Sequence, residues 1–233
     1  MNSKKQSSGV QIGQIKISPL AHAIILIALW AIIRAGFGAF FKVFFGGELK
    51  LFPTIEFTLF SVLCFVLGGI GIIYFGLIRL GRVSWQRLGW TKRRLGRSVL
   101  LGIIGFVVGI GIMILVNTLV SSNDLSAQLW ALDTRKILLG AFWGFAIAAW
   151  IEQNLFAGYI QPILIERWGA WPGIIIQAVL FSGAHIGWMT SWPEFLNAFI
   201  FGLVFGVQRG YNRSIVAPYL THALMWVLIG AIT

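Results

Sequence analysis

Residues 98–120 read SVLLGIIGFVVGIGIMILVNTLV, a run without a charged side chain that decides the class of fold. An α-helix rises about 1.5 Å per residue, so this run can cross the hydrocarbon core of a bilayer, which is about 30 Å thick. Of the 233 residues in the chain, 58% are hydrophobic and 11% are charged, against about 25% charged residues in soluble domains. The sequence therefore predicts an integral membrane protein and excludes soluble, disordered and fibrous classes.

The chain contains seven apolar runs of about 17–25 residues, the length expected of a transmembrane helix. They lie at residues 20–45, 56–78, 98–120, 137–160, 172–189, 194–209 and 214–232. An all-α polytopic membrane fold with about seven transmembrane helices is therefore predicted. We find no internal repeat and no low-complexity linker, so we expect an N-terminal segment, 1–19, followed by a single transmembrane domain, 20–232.

Glycines recur inside the predicted helices, for example at Gly102, Gly105 and Gly109 in the third and at Gly202 and Gly206 in the sixth. Small residues at this spacing let helix backbones approach closely. The pattern indicates packing between helices rather than chemistry.

The cations outnumber the anions by 18 to 7 and lie mostly in the short connections. If the N-terminus is cytoplasmic, the connections on that side collect most of them, including all seven in the segment 79–97, and the other side keeps Lys50, Arg135 and Lys136. We therefore predict a cytoplasmic N-terminus and a C-terminus on the opposite side, in the plasma membrane of a prokaryote. Anionic headgroups account for the positive charge, so no nucleic-acid partner is expected.

Three ionisable side chains lie deep inside predicted helices. Placing such a side chain inside the bilayer costs free energy, so each is a functional candidate by default. From the cytoplasmic ends of their helices, Glu152 lies roughly 12–20 Å deep, His222 roughly 12–14 Å and His185 roughly 20 Å. A carboxylate and two imidazoles at a common depth on three helices form a site if those helices face one another. Taken alone, Glu152 has a second interpretation, a buried acid that is hydrogen-bonded to Asn154 or Gln177.

Other ionisable residues in the apolar runs are given no role. Arg34 and Lys42 have side chains long enough to reach the membrane surface, and the first helix is longer than the bilayer requires. His22, near the start of that helix, is interpreted as an interhelical hydrogen bonder.

A glutamate and two histidines in a low-dielectric site can activate water. The carboxylate takes a proton from water and later returns it, and an imidazole can hold the water or donate to an oxyanion. The same three side chains suit zinc, and they also suit a proton relay in a transporter.

Three stretches carry a resemblance to a known family: residues 152–159 (EQNLFAGY), 181–185 (FSGAH) and 218–224 (PYLTHAL). In order and spacing they resemble the three motifs of the CPBP family of intramembrane proteases, which contains the CAAX prenyl endopeptidases and the bacterial Abi proteins. The resemblance implies a CPBP-protease-like helical core whose motif-bearing part is residues 137–232.

The resemblance also implies roles for individual residues. Glu152 would be the general base, His185 its partner and His222 an oxyanion donor. Gln153, Phe181 and Trp226 would lie in the neighbourhood of the substrate or the oxyanion. The family has been described both as metal-dependent and as a glutamate type without metal. The cofactor is therefore left open; if zinc is present, its ligands would be Glu152, His185 and His222.

The chain departs from the family motifs at three positions. Where the motif Glu-Glu-x-x-x-Arg has its second glutamate and its arginine, this chain has Gln153 and Ala157. Where the motif His-x-x-x-Asn has its asparagine, this chain has Trp226. Loss of the second glutamate together with the arginine is coherent, because losing one partner of a buried pair would leave an uncompensated charge. Loss of one oxyanion donor costs about a hundredfold to a thousandfold in rate.

Three functions are compatible with these features. The first is an intramembrane endopeptidase that hydrolyses a peptide bond of a membrane-anchored or lipidated substrate with a water activated by Glu152 and the histidines. The second is a catalytically impaired relative of the same fold that binds a membrane partner, in which Trp226 fills the cavity. The third is a small transporter, which ranks last because the sequence offers a single polar layer. The lipid bilayer is a partner in every case.

Overall fold

The computed structural model describes residues 10–12, 15–45, 55–120, 133–186, 189 and 191–232. Near the N-terminus, strands β1 (Val10–Ile12) and β2 (Ile15–Ile17) pair antiparallel, with Val10 opposite Ile17. This hairpin precedes the first helix and is a small exception to a fold that is otherwise built from helices. The prediction of an all-α membrane protein is confirmed.

Eight helices follow in the described part of the chain. They are α1 (Pro19–Phe45), α2 (Ile55–Cys64, continuing as the π-helical segment Phe65–Leu80), α3 (Trp85–Leu88), α4 (Leu95–Val120), α5 (Thr134–Trp168), α6 (Ala170–Gly183), α7 (Trp192–Asn212) and α8 (Val216–Ile232). Within α5, the segments Trp143–Ala148 and Gln153–Ile160 are π-helical. Every predicted apolar run corresponds to one of these helices.

Four of the described helices are long and apolar enough to cross a membrane: Pro19–Phe40, Phe57–Leu80, Leu95–Val116 and Thr134–Trp168. The helices α6 and α8 are apolar but shorter, with 14 and 17 residues. At about 1.5 Å per residue, α6 spans about 21 Å, less than the hydrocarbon core. The predicted count of seven transmembrane helices is therefore supported by length and hydropathy for four of them.

Two helix boundaries differ from the predicted ones. The run 172–189 stops being helical at Gly183, a residue type of low helix propensity, so His185 lies in a turn rather than inside a helix. At the other boundary, α5 continues past Pro162 to Trp168. In the preceding π-helical turn, the N–H of residue 162 would bond to the carbonyl of Ala157, five residues earlier. Proline has no backbone N–H, so Pro162 leaves that carbonyl without its helical partner. Arg209 Nε donates to that carbonyl instead, at 3.1 Å.

The middle of α5 is the core of the protein. Residues 151–160 are all buried, on every face of the helix. By contrast, α4 exposes apolar side chains at helical spacing, among them Ile103, Ile104, Val107 and Val108. In a membrane protein such a face lies against lipid. The residues that surround α5 come from α1, α2, α3, α6, α7 and α8, and these helices position the site described below.

Glycines allow α8 to lie directly against α5. A Cβ atom on Gly144 would approach the Ala223 carbonyl oxygen to 2.6 Å, and one on Gly140 would approach the Trp226 carbonyl oxygen to 2.5 Å. On the opposite side of α8, a Cβ on Gly102 would lie 2.9 Å from the Leu220 side chain. The predicted role of glycines in helix packing is therefore borne out for Gly102. In α5, Gly140 and Gly144 likewise allow close approach of the α8 backbone.

We predict that Gly144→Ala destabilises the protein by about 1–3 kcal/mol, because the added methyl group must displace the α8 backbone. Gly111→Ala on α4 is the matched control, since a Cβ there meets nothing within 4 Å. Its effect is expected to stay within about 1 kcal/mol. Thermal unfolding in detergent measures both, and equal melting temperatures for the two variants would contradict the packing described here.

Candidate active site

Three helices and the turn after α6 bring polar side chains together at the centre of the molecule. Glu152 lies on α5, where the α-helical turn Ala149–Glu152 meets the π-helical segment Gln153–Ile160. His222 lies on α8, and His185 lies in the turn that follows α6. A change to π-helical geometry within a helix is frequent at functional sites, because it rotates the side chains that follow.

One oxygen of the Glu152 carboxylate is held by α1. Arg34 Nη1 donates to Glu152 Oε1 at 2.8 Å, and Trp30 Nε1 donates to the same oxygen at 3.4 Å. Arg34 and Glu152 are both 2% exposed, so this is an ion pair without access to water. Neither Asn154 nor Gln177 is its partner: Asn154 accepts from Trp90 Nε1 and donates to the Trp150 carbonyl.

The assignment of Arg34 as a surface-reaching side chain is therefore wrong. The hydrocarbon stem is long enough to reach the surface, but the buried carboxylate on α5 holds the guanidinium inside the protein. The sequence signal for this contact was present, since an arginine inside a transmembrane helix usually has an acidic partner. The structure does not describe the side chain of Lys42, with which Arg34 was grouped. His22 forms the expected interhelical contact, with its Nδ1 2.8 Å from the Tyr159 hydroxyl.

The other carboxylate oxygen faces both histidines. Glu152 Oε2 lies 3.8 Å from His185 Nε2 and 3.7 Å from His222 Nε2. These distances are too long for direct hydrogen bonds. Oε2 is buried and has no hydrogen-bond partner among the described residues. The three residues predicted to form a site do converge, and they do so on a single oxygen atom.

Hydrogen bonds to the ring nitrogens indicate the tautomer of each histidine. The Phe181 carbonyl can only accept, so the 2.7 Å contact from His185 Nδ1 places the ring proton there and leaves a lone pair on Nε2. The Trp226 indole donates to His222 Nε2 at 3.2 Å, so His222 carries its proton on Nδ1. The Gln153 amide lies 3.0 Å from Nδ1; a half-turn interchanges its two ends, and the amide oxygen then accepts that proton.

This arrangement points hydrogen-bond acceptors at one another. Both Glu152 Oε2 and His185 Nε2 present lone pairs across 3.8 Å. A water molecule about 2.8 Å from each atom could donate one hydrogen to the oxygen and one to the nitrogen. Its own lone pair would then be free to attack. The geometry therefore suits a water molecule that donates one hydrogen bond to Glu152 Oε2 and one to His185 Nε2.

Aromatic side chains enclose the site. The Phe181 ring lies 4.8 Å from the ring of His185 and 5.8 Å from that of His222. Trp226 is 9% exposed, and its ring packs against Trp143 with centroids 5.8 Å apart. Gln153, Phe181 and Trp226 thus all lie next to the histidines, and Trp226 occupies the position where the family motif has asparagine.

The donor set fits a metal ion poorly. The described residues include no group of three His, Cys, Asp or Glu side chains arranged to hold one. Zinc would need the Nε2 lone pair of His222, which the Trp226 N–H occupies, and it would lie near the Arg34 guanidinium on the same carboxylate.

The fold is that of a helical membrane protein, and a glutamate and two histidines are buried together at its centre. Residues 134–228 match the family model described as Rce1-like, type II CAAX prenyl endopeptidase. The matched segment contains Glu152, His185 and His222. It does not contain Arg34. No curated protein and no solved structure matches the chain.

We predict that Arg34→Met lowers the free energy of unfolding by about 3–5 kcal/mol, because it leaves the Glu152 carboxylate buried without a countercharge. Adding Glu152→Gln in the same chain should recover most of that loss, since both charges are then removed. Denaturant titration of the two variants and of Glu152→Gln alone measures the coupling. A double variant as unstable as Arg34→Met would show that the two side chains are not coupled.

Proposed function

We propose that the protein is an intramembrane endopeptidase that hydrolyses a peptide bond of a membrane-anchored or lipidated protein. The observation that carries this proposal is the convergence of Glu152 Oε2, His185 Nε2 and His222 Nε2 on one buried point. The family match supports the fold that such an enzyme needs. We further propose that the N-terminus is cytoplasmic and the C-terminus lies on the opposite side.

In the proposed reaction, Glu152 is the general base and His185 positions the water. As the water oxygen bonds to the carbonyl carbon, Glu152 Oε2 takes one of its protons and the carbonyl electron pair moves to oxygen. Collapse of the tetrahedral intermediate breaks the C–N bond, and Glu152 returns the proton to the leaving amine. The Arg34 ion pair on Oε1 leaves Oε2 as the oxygen that performs both transfers.

The oxyanion is assigned to the side of the site formed by His222 and Trp226. In the tautomer that the Trp226 contact indicates, His222 Nε2 accepts the indole N–H, so it cannot donate to an oxyanion at the same time. Donation by His222 requires the indole to move off Nε2 and the ring proton to be on that nitrogen. Trp226 therefore limits the rate in this scheme.

A second candidate is a non-catalytic membrane-binding protein of the same fold. It is favoured by the Trp226 ring, which packs on Trp143 at the edge of the site. The two candidates differ in whether the Glu152 carboxylate is needed.

We predict that Arg34→Met/Glu152→Gln abolishes processing while the protein remains folded, because it removes the base and its countercharge together. The measurement compares membrane-protein fragments in a deletion strain that expresses wild type, this double variant or His185→Ala. The expected result is a substrate that accumulates uncut in both variant strains and is cleaved with wild type. Equal processing by the double variant and wild type would favour the binding protein over the enzyme.

We predict that Trp226→Asn raises the cleavage rate about a hundredfold, because it frees His222 Nε2 and restores an oxyanion donor at that position. Trp226→Phe is the control: it removes the N–H and keeps most of the ring volume, so its gain should be much smaller. Both are measured as the rate of appearance of the same fragment. A loss of cleavage in Trp226→Asn would show that the indole itself takes part in the reaction.

A further inference from the structure

A basic cavity lies away from the glutamate–histidine site, between the connection that follows α3 and the C-terminal end of α7. Its volume is about 420 Å³. The residues that line it are Gln86, Thr91, Arg93, Arg94, Tyr211, Asn212 and Arg213. Three arginines thus line one small space, and no acidic residue in the described part of the chain lines it.

The three arginines have no acidic partner among the residues that the structure describes. Among the described residues, no ion pair joins Arg93, Arg94 or Arg213 to a carboxylate. Guanidinium groups that share a cavity repel one another and create a positive potential there. Planar guanidinium groups also match the geometry of phosphate oxygens, to which they donate in pairs. The cavity therefore fits a phosphate-bearing anion.

The backbone holds two of these arginines in an unfavourable conformation. Arg94 and Arg213 have φ of 59° and 55°, in the left-handed region that non-glycine residues rarely adopt. Asn212 Nδ2 donates to Ser98 Oγ at 2.6 Å, and the Ser98 N–H donates to the Arg94 carbonyl at 3.0 Å. These bonds tie the end of α7 to the start of α4, so the cavity is formed before any ligand arrives.

A second cavity adjoins the first and is mostly apolar. It has a volume of about 740 Å³ and shares Tyr211 and Arg213 with the basic cavity. Its apolar walls include Ile165, Trp171 and Ile174, and Glu166 and Arg209 also line it. A basic space that continues into an apolar one matches a molecule with an anionic head and a hydrocarbon chain.

We propose that these two cavities together form a binding site for one anionic phospholipid, with its phosphate among Arg93, Arg94 and Arg213 and an acyl chain beside Ile174. A soluble phosphate compound would use the basic cavity alone. The proposal does not depend on Glu152, so it stands or falls separately from the proposed enzyme activity.

The test measures lipid binding to the full chain in detergent by native mass spectrometry. The probes are dioctanoyl phosphatidylglycerol, dioctanoyl phosphatidylcholine and glycerol 3-phosphate. We expect one phosphatidylglycerol to bind at least tenfold more tightly than either of the other two. Equal binding of phosphatidylcholine would overturn the proposal, and so would equally tight binding of glycerol 3-phosphate, which would make this a soluble phosphate site.

The variants test both halves of the site. Arg94→Asn and Arg213→Asn should each weaken phosphatidylglycerol binding about tenfold, the value of one charge-assisted hydrogen bond. Asparagine tolerates the left-handed backbone, so these variants are expected to fold. Arg82→Asn is the matched control, because Arg82 has a φ of 50° and lines neither cavity. Unchanged binding in Arg94→Asn and Arg213→Asn would overturn the assignment.

The apolar half is tested by Gly210→Leu. Gly210 lines the apolar cavity, and a Cβ there meets Ile174 at an ordinary contact distance of 3.6 Å. The added side chain should weaken phosphatidylglycerol binding about tenfold and leave glycerol 3-phosphate binding unchanged. Equal tight binding of phosphatidylglycerol to this variant and to wild type would show that no acyl chain enters the cavity.

Discussion

The ion pair between Arg34 and Glu152 is the interaction on which the site depends. Two opposite charges are buried at the centre of a membrane protein, where either one alone would cost several kcal/mol. The pair attaches α1 to α5, and it determines how the carboxylate is used. Because Oε1 is bound to Arg34 and Trp30, only Oε2 is left to face the two histidines. A structural contact thereby selects the reactive atom.

Phe181 connects the packing of the core to the orientation of both histidines. Its carbonyl accepts the Nδ1 proton of His185, which turns the Nε2 lone pair towards Glu152. Its ring also packs edge-on against Phe156 and Phe205. The Phe205 ring in turn stacks on His222, with centroids 5.1 Å apart. The imidazoles are therefore held by both hydrogen bonds and aromatic contacts, which leaves them little freedom to rotate.

Hydropathy predicted the helices and the motifs predicted Glu152, His185 and His222, because both signals are local in the sequence. The partner of Glu152 was not predicted, since Arg34 is 118 positions away and its long side chain is equally compatible with the membrane surface. The end of α6 before His185 and the continuation of α5 through Pro162 were also missed. The continuation of α5 depends on a tertiary contact that no helical period encodes, the bond from Arg209 to the Ala157 carbonyl. The end of α6 at Gly183 is set by a residue of low helix propensity within an otherwise apolar run.

The departures from the family motifs form a consistent set once Arg34 is included. With Gln153 and Ala157, motif one loses one negative and one positive charge, so Glu152 would be left without a countercharge from its own helix. Arg34 supplies that charge from α1, outside the matched segment 134–228. Gln153 then serves as a neutral partner for His222 Nδ1. A glutamate at 153 beside Glu152 would add a second buried anion that the single Arg34 could not balance.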